Sequence, residues 1–383
     1  MKKIYLDHAS ATSVDPSVLA FAEGFLKDGY GNPSSLHSVG LKAKRVIEEA
    51  REKVAKLINA EGTENIVFTS GATESNNLAI RGVALRNVKK GKKCIASAIE
   101  HISVLNPMKS LQKDGFEFTL VPVDSYGIVD VKKIKDVLSE DTTVTSVMYA
   151  NNEIGTIEPI REISKMIHHK ALYLHVDATA AAGHIPVDVQ KDAIDLLTLS
   201  SNDLHGPQGA GALYIKKGVK VQSLLPGGGQ ERGLRSGTEN LFAIAGMGEA
   251  ARIAMIDMKD KSEKLKKIRD RLIKEILKID ECFLTGHSTK RLPHHASFRF
   301  SRIEGESIVL NMDMYNIQVS TGSACSSKTL EPSHVLLAIG LKHEEAHGSM
   351  LLTLGTSNTI KQIPAIVKAV KETVGRLRKL SPL

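Results

Sequence analysis

Residues 66–76 read Ile-Val-Phe-Thr-Ser-Gly-Ala-Thr-Glu-Ser-Asn, an apolar run of strand type that leads through a glycine-bearing turn into the helical segment 77–88. Such a turn at a helix N-terminus presents free N–H groups and the positive end of the helix dipole, which suits a phosphate. The hydroxyl of Thr73 can add one more donor. An ordinary capped helix explains this motif equally well, so the motif alone does not decide.

Short β-branched runs alternate with helical periods over the first two-thirds of the chain. The predicted strands are Ile66–Thr69, Cys94–Ala98, Phe116–Val121, Val144–Tyr149, Leu172–Val176, Leu196–Leu199 and Ala212–Ile215. This alternation predicts an α/β fold, with a mostly parallel sheet covered by helices on both faces. Ligands of such sheets bind just beyond the carboxyl ends of the strands, so the residues that follow each strand are the candidates for function.

The remaining third of the chain predicts a second, smaller unit. Residues 242–279 read as one long helix or two helices in series, followed by short strand-like runs and a final amphipathic helix. We expect a large α/β domain over residues 16–260. Residues 1–15 and 261–383 are expected to form a smaller α+β domain that carries Cys325.

Composition excludes several classes of protein. Of 383 residues, 42% are hydrophobic and 25% are charged, which excludes a disordered, collagenous or coiled-coil chain. No apolar stretch approaches ~18 residues, so we expect no membrane helix. Asp7 and His8 interrupt the short apolar run near the start, which is unlike a signal peptide, and we expect a cytoplasmic protein.

The net charge and the cysteine content limit the classes of partner and of site that the chain can have. The formal net charge of +8 favours acidic partners, whereas the absence of tryptophan and only 4% aromatic residues argue against binding single-stranded nucleic acid. The three cysteines, Cys94, Cys282 and Cys325, lack the paired spacing of a disulfide framework or a self-contained metal site. A cysteine that matters here would act as a lone thiol.

Polar side chains follow three of the predicted strands. Asp177 ends one strand, Asn152 lies after a second, and Glu100 and His101 follow a third. Taken singly, each is more commonly structural, as a helix cap or a buried histidine. Together with the phosphate turn, they fit a pyridoxal phosphate pocket, in which an aspartate keeps the pyridine nitrogen protonated so that the ring withdraws electrons.

The chain resembles the cysteine desulfurase family, the NifS/IscS group of fold-type-I, class V aminotransferase relatives, over essentially its whole length. The segments that carry the resemblance are residues 5–8, 31–35, 70–76, 100–101, 151–155, 175–179, 206–207, 227–238, 305–307 and 321–327. The resemblance implies the fold-type-I fold of pyridoxal-phosphate-dependent transferases and a homodimer.

The resemblance also implies how the cofactor phosphate would be bound. Ala72 and Thr73 would bind it at the helix N-terminus, together with Ser200. Thr238 would reach the same phosphate from the partner subunit of the homodimer.

Further roles are implied for the ring and the thiol. His101 would stack on the pyridine ring and move protons, Asn152 would lie by the ring hydroxyl, and Asp177 would pair with the ring nitrogen. Cys325 would attack the sulfur of substrate cysteine, accept it as a persulfide and leave alanine, which suits a lone exposed thiol. Cys94 and Cys282 are expected to be inert.

The sequence departs from the family at the residues that handle an amino acid. Asp203 stands where the family has its Schiff-base lysine, and Asn202 replaces the histidine before it. A glutamine that contacts the cofactor is replaced by Ala180, and the arginine that binds the substrate carboxylate by Leu351. An aspartate cannot form an aldimine, so pyridoxal phosphate is expected to be non-covalent or absent.

Three hypotheses follow. The first is a dimeric platform for iron–sulfur cluster assembly that presents Cys325 to a scaffold protein of the IscU type, or to another sulfur acceptor, without conventional desulfurase activity. Cys325 would carry sulfur or ligate an iron–sulfur cluster shared with the partner, since one thiolate cannot hold a cluster. The second is an active pyridoxal-phosphate-dependent cysteine desulfurase that uses another amine, such as Lys216 or Lys217, or that handles sulfur with unanchored cofactor. The third is a dehydratase-like enzyme with His205 or Asp203 as base.

Overall fold

The central element of the structure, a computed structural model that describes residues 3–27, 30–168, 173–322 and 331–380, is a mostly parallel β-sheet. In these ranges the strands are β1 (Ile4–Tyr5), β2 (Ile66–Thr69), β3 (Lys93–Ser97), β4 (Glu117–Val121), β5 (Thr142–Ser146), β6 (Tyr173–Asp177), β7 (Leu196–Ser200), β8 (Gly211–Ile215), β9 (Cys282–Leu284), β10 (His295–Phe300), β11 (Ile317–Gln318) and β12 (Ser349–Thr353).

The helices cover this sheet and fill the rest of the described chain. They are α1 (Pro16–Lys27), α2 (Ser38–Leu57), α3 (Ala72–Arg86), α4 (Ile102–Leu111), α5 (Val131–Val137), α6 (Ile160–His168), α7 (Leu241–Ile276), α8 (Gly305–Met314), α9 (His334–Ala338), α10 (His343–His347) and α11 (Ile363–Leu380). The predicted α/β fold class with a mostly parallel sheet is therefore confirmed.

The strand order of the main sheet, β2-β8-β7-β6-β5-β3-β4, brings the candidate residues to one edge. Strands β7, β6, β5, β3 and β4 are parallel, and β8 is antiparallel to both β7 and β2. Every residue of β2, β5 and β7 is buried, as expected for a sheet covered on both faces. The carboxyl ends of β2, β3, β5, β6 and β7 consequently face the same side.

One predicted strand boundary is wrong for a reason that concerns the site. The sequence predicts a strand over Val144–Tyr149, but β5 ends at Ser146. The backbone N–H of Met148 donates to the Glu100 carboxylate at 2.7 Å, whereas the N–H groups of Val147 and Tyr149 still donate to carbonyl oxygens of β6. A buried side chain thus replaces a strand as the partner of Met148, while the bonds to β6 hold residues 147–149 at the edge of the sheet.

Helix α7 contributes to two apolar clusters. Its first part, including Ala243, Met247 and Ala250, packs in the main core beside the sheet. Its later part, including Leu265 and Leu272, packs in a second cluster with side chains of β1, β10, β12 and α11. This change falls near the predicted boundary at residue 260; the division into two domains stays a prediction. None of the helices in the described ranges is long and apolar enough to cross a membrane.

Candidate active site

A cavity of about 290 Å³ opens at the carboxyl ends of the parallel strands. Its walls come from β2–α3, β3–α4, β5, β6, β7 and the N-terminal segment, and the residues that line it are Ala9, Ser10, Ala72, Thr73, His101, Ser103, Met148, Ala150, Asn152, Asp177, Thr179, Ala180, Asn202 and Asp203. Six of the predicted site residues are therefore brought together. Ser200 borders this group through a hydrogen bond to the Asp203 side chain.

The turn between β2 and α3 forms one end of the cavity. Gly71 precedes α3 with φ at 156°, a value that side chains rarely adopt, and the helix begins at Ala72. The N–H groups of the first helical turn have no partner within the helix. A Cβ on Gly211 of β8 would lie 2.6 Å from the Cα of Gly71, so glycine is needed there for the strand to approach the turn.

Asp177 lies at the end of β6 with both carboxylate oxygens engaged. Oδ2 accepts a hydrogen bond from Asn76 Nδ2 at 2.7 Å, and Oδ1 accepts one from the backbone N–H of Thr179 at 3.0 Å. These two donors fix the direction of the carboxylate. Asp177 is thus a preorganised acceptor at the wall of the cavity, the position expected of a partner for a protonated ring nitrogen.

A chain of hydrogen bonds joins Asp177 to His101. Asn76 Nδ2 also donates to Ser103 Oγ at 2.8 Å, and Ser103 Oγ lies 2.7 Å from His101 Nδ1. The backbone N–H of Ser103 donates to the same nitrogen at 3.1 Å, which makes His101 the N-cap of α4. Because Nδ1 accepts, the neutral imidazole carries its proton on Nε2. Asn76 and Ser103 were not assigned roles from the sequence.

Asp203 stands inside the cavity, in the turn that follows β7. Its carboxyl accepts hydrogen bonds from the side chains of Ser200 and Asn202. Burial raises the pKa of this carboxyl to about 6, and the nearby Asp177 carboxylate adds to the rise. The cavity is therefore lined by two aspartates, and none of the described residues that line it is a lysine or an arginine.

A smaller cavity of about 20 Å³, enough for one water, lies on another side of Asp203. Four imidazoles line it, those of His8, His184, His294 and His295, and each has a ring nitrogen without a hydrogen-bond partner among the described residues. Burial holds their pKa values below the usual range of histidine, so the rings are neutral at pH 7. They supply no positive charge to Asp203.

The lysines considered as substitutes are far from this cavity. In the antiparallel pair of β7 and β8, Ser200 lies opposite Gly211, whereas Leu196 lies opposite Ile215. Lys216 and Lys217 follow Ile215, about 13 Å or more from the site edge at ~3.3 Å per residue. The hypothesis that either lysine replaces the Schiff-base amine is therefore wrong.

His205 is also outside the main cavity. Its Nδ1 lies 3.1 Å from the carbonyl oxygen of Ser13, and its ring lines a separate cavity of about 50 Å³ together with Lys261. Burial lowers the pKa of His205 to about 4. These contacts remove His205 as the base of the dehydratase-like hypothesis.

The three cysteines and Thr238 are the remaining residues with roles predicted from the sequence. Cys94 and Cys282 are buried, and burial raises their thiol pKa values to about 11 and about 12, which makes both inert. Cys325 lies outside the described residues, and within the described ranges no three His, Cys, Asp or Glu side chains are grouped to hold a metal ion. Thr238 is exposed and outside the cavity of its own chain; its role in a partner subunit stays a prediction.

Comparison with known proteins agrees with this arrangement. The family described as aminotransferase class-V matches residues 4–366. A protein named cysteine desulfurase IscS 1 from Archaeoglobus fulgidus is 55% identical over 379 residues, 99% of each chain. The chain belongs to the cysteine desulfurases of the aminotransferase class-V family.

Further relatives extend the match. Cysteine desulfurase IscS of Clostridium botulinum is 47% identical over 385 residues, covering 100% of this chain and 97% of that protein. A solved structure titled NifS-like protein superposes with a TM-score of 0.92 at 36% identity, covering 98% of this chain and 100% of that one. Cysteine desulfurases use pyridoxal phosphate, so the cavity can be tested against that cofactor.

The residues present fit one part of pyridoxal phosphate and not another. The N-terminus of α3 and Asp177 suit a phosphate and a protonated pyridine nitrogen. A covalent bond to the aldehyde would need an amine, and none of the described residues that line the cavity is a lysine. The cavity of this cysteine desulfurase thus matches the ring and the phosphate but not a covalent linkage.

Glu100, the residue before His101, fixes the edge of the sheet without entering the cavity. Its Oε1 accepts hydrogen bonds from Ser97 Oγ at 2.5 Å and from the backbone N–H of Met148 at 2.7 Å, and its Oε2 lies 3.3 Å from Ser146 Oγ. Burial raises the pKa of this carboxyl to about 7. Glu100 is a structural residue that holds the ends of β3 and β5 together.

Replacing Glu100 by glutamine should flatten the pH dependence of stability. Because folding raises this pKa, the native chain keeps a proton that the unfolded chain loses, and stability falls as pH rises towards about 7. Glutamine keeps the acceptor for Met148 and has no proton to lose. We expect the slope of unfolding free energy between roughly pH 5 and 7 to decrease by up to about 1.4 kcal/mol per pH unit.

Urea unfolding at a series of pH values measures this slope. The matched control is Glu140→Gln, at an exposed glutamate, which should leave the slope unchanged. A Glu100→Gln variant with the slope of the parent chain would show that Glu100 is ionised throughout the folded range.

Proposed function

We propose that this cysteine desulfurase relative acts in sulfur transfer and iron–sulfur cluster assembly as a homodimeric platform, without lysine-dependent desulfurase activity. It presents Cys325 to a scaffold protein, to carry sulfur or to ligate iron together with cysteines of that partner. The observation that supports the proposal is the Asp203 carboxylate inside the cavity, where the family pattern requires an amine.

The set of residues that differ from the family pattern supports the platform over an active desulfurase. The residues absent from the family pattern are those that bond the cofactor aldehyde, contact the cofactor and bind the substrate carboxylate, and Asp203, Ala180 and Leu351 stand in their places. Leu351 is buried in β12 and offers no charge to a carboxylate. The segment 321–327 that carries Cys325 keeps the complete motif. A protein that retains the thiol and loses the amino-acid site suits sulfur or iron handling better than cysteine cleavage.

The second candidate is an active pyridoxal-phosphate-dependent cysteine desulfurase that converts L-cysteine to L-alanine and leaves a persulfide on Cys325. The names of the relatives favour it over the platform, since the matches at 55% and 47% identity are named cysteine desulfurases. The residues of the cavity oppose it, because no described lysine lines that cavity.

Cysteine turnover decides between the two candidates. We expect the full chain, incubated with L-cysteine and pyridoxal phosphate, to form no alanine above the rate seen with free pyridoxal phosphate alone. Alanine is measured by chromatography, over a time in which an active enzyme would form many molecules of alanine per protein chain. Steady turnover at ordinary enzyme rates would refute the platform hypothesis and establish the active desulfurase.

Replacing Cys325 by serine tests the proposed role of this thiol in carrying sulfur or ligating iron. A scaffold protein, ferrous iron and a sulfur source are combined with the chain, and cluster formation is followed by visible absorbance. We expect Cys325→Ser to abolish the contribution of this chain while leaving its size in gel filtration unchanged. Cys94→Ser is the matched control, because its thiol is buried and inert. Equal cluster formation by parent and Cys325→Ser would remove Cys325 from the function.

A further inference from the structure

The charge of the cavity indicates a ligand that differs from the usual cofactor. Asp177 and Asp203 both line it, and no described lysine or arginine does. The Asp203 carboxyl is held by Ser200 and Asn202, and none of the groups that shift its pKa is cationic. The imidazoles on its other side are neutral. Asp203 is therefore a fixed acceptor that faces this cavity with no described lysine or arginine in the lining, while Lys261 lies in a separate cavity on another side of Asp203.

The position of this acceptor decides which chemical group it can bind. In the family pattern the residue at position 203 meets the carbon that carries the cofactor aldehyde. An aldehyde gives a carboxylate neither a covalent bond nor a hydrogen-bond donor. A protonated aminomethyl group on the same carbon offers three donors and a positive charge, so it can form a charge-assisted hydrogen bond with Asp203.

We propose that the cavity binds pyridoxamine 5′-phosphate in preference to pyridoxal 5′-phosphate, with the Asp203 carboxylate paired to the ammonium group of the ligand. The inference rests on the proposed function, since both depend on the absence of a Schiff-base lysine. The first turn of α3, at Ala72 and Thr73, binds the phosphate, and Asp177 pairs with the ring nitrogen. The two carboxylates then face the two cationic groups of one ligand.

Three vitamin B6 phosphates separate the contribution of Asp203 from that of the ring and phosphate. Pyridoxamine 5′-phosphate carries an ammonium group, pyridoxine 5′-phosphate a neutral hydroxymethyl group, and pyridoxal 5′-phosphate an aldehyde. We expect the full chain to bind the amine roughly 10- to 100-fold more tightly than the hydroxymethyl compound, the effect of one charge-assisted hydrogen bond. Isothermal titration calorimetry of the three ligands measures the dissociation constants without any turnover.

Asp203→Asn is the matched variant, because it keeps the size and polarity of the side chain and removes its charge. We expect this variant to bind the amine and the hydroxymethyl compound within about threefold of one another. If Asp203→Asn fails to fold, Asp203→Ser serves the same purpose. Equal affinities in the parent chain, binding of none of the three ligands, or a preference that survives both substitutions would each overturn the proposal.

The ligand titrations and the cysteine turnover assay test the two proposals separately. Cysteine turnover by the parent chain would refute the platform hypothesis whatever the ligand preference. Absence of turnover with no preference for the amine would refute only the inference about pyridoxamine 5′-phosphate.

Discussion

The Asp203→Lys variant is expected to bind pyridoxal phosphate covalently and to stay yellow through gel filtration, whereas the parent chain should emerge colourless. The substitution returns an amine to the turn after β7, in a cavity that already has the α3 N-terminus and Asp177. A Schiff base adds a covalent bond to those contacts, so the gain in retained cofactor should exceed a hundredfold. Borohydride reduction followed by mass spectrometry of the intact chain measures the adduct.

Activity should not return together with the cofactor. The variant keeps Leu351 and Ala180, at the positions where the resemblance implies an arginine and a glutamine. The missing carboxylate contact alone is worth about 1.5–3 kcal/mol, roughly 10- to 100-fold in substrate binding. We therefore expect cysteine turnover by Asp203→Lys to remain low, and to rise when Leu351→Arg is added.

Asp203→Gln controls for the change in side-chain size, because it is longer than aspartate and has no nucleophilic amine. It should retain no cofactor after reduction. An Asp203→Lys variant that folds but takes up no pyridoxal phosphate would show that the cavity differs from the family in more than this one side chain.

The sequence was sufficient for the parts of the site that depend on local order along the chain. The strand Ile66–Thr69 was predicted with its observed bounds, and the glycine turn after it follows from residues that are neighbours in sequence. His101 and Asp203 follow strands, and Asp177 ends one. Because the carboxyl ends of parallel strands lie at one edge of the sheet, these three residues are expected to lie close together. The departure from the family pattern that we predict at Asp203 rests on residues 200–207, which are contiguous in the sequence.

The sequence could not reveal contacts between residues that only folding brings together. Asn76 lies one turn inside α3, yet it joins Asp177 to Ser103 across two other elements. Nothing in its neighbourhood in the sequence distinguishes it from a solvent-facing helical asparagine. The four imidazoles around Asp203 come from three separate segments of the chain, so no spacing in the sequence predicts that they lie together.

The sequence likewise does not reveal the contacts that cover β2, the outermost strand on one side of the main sheet. Glu231 lies in the glycine-rich segment 227–238, and its carboxylate accepts a hydrogen bond from the backbone N–H of Phe68 in β2, at 2.8 Å. Arg51 of α2 bonds both oxygens of Glu231 at 2.7 and 2.8 Å, and the two side chains are 5% and 2% exposed. This buried pair covers the edge strand that leads into the phosphate turn.

Arg51→Met should destabilise the fold by about 3–5 kcal/mol, because it leaves the Glu231 carboxylate buried without its partner. The pair also holds backbone in an unusual conformation, since Glu231 and Arg232 both have positive φ, 46° and 57°, which non-glycine residues adopt only under constraint. Urea unfolding followed by circular dichroism measures the loss as a lower midpoint with an unchanged slope.

The matched control is Lys56→Met in the same helix, which removes a partner from an exposed ion pair with Glu52 and should change stability little. Glu231→Gln added to Arg51→Met should recover part of the loss, because glutamine carries no charge and its oxygen still accepts from Phe68. If Arg51→Met were no more damaging than Lys56→Met, the segment 227–238 would be held to the sheet by its other contacts, such as Arg235 with Glu74 at 3.0 Å. A large loss would instead mean that one buried ion pair fixes both this segment and the strand before the phosphate turn, so that stability and ligand binding fall together.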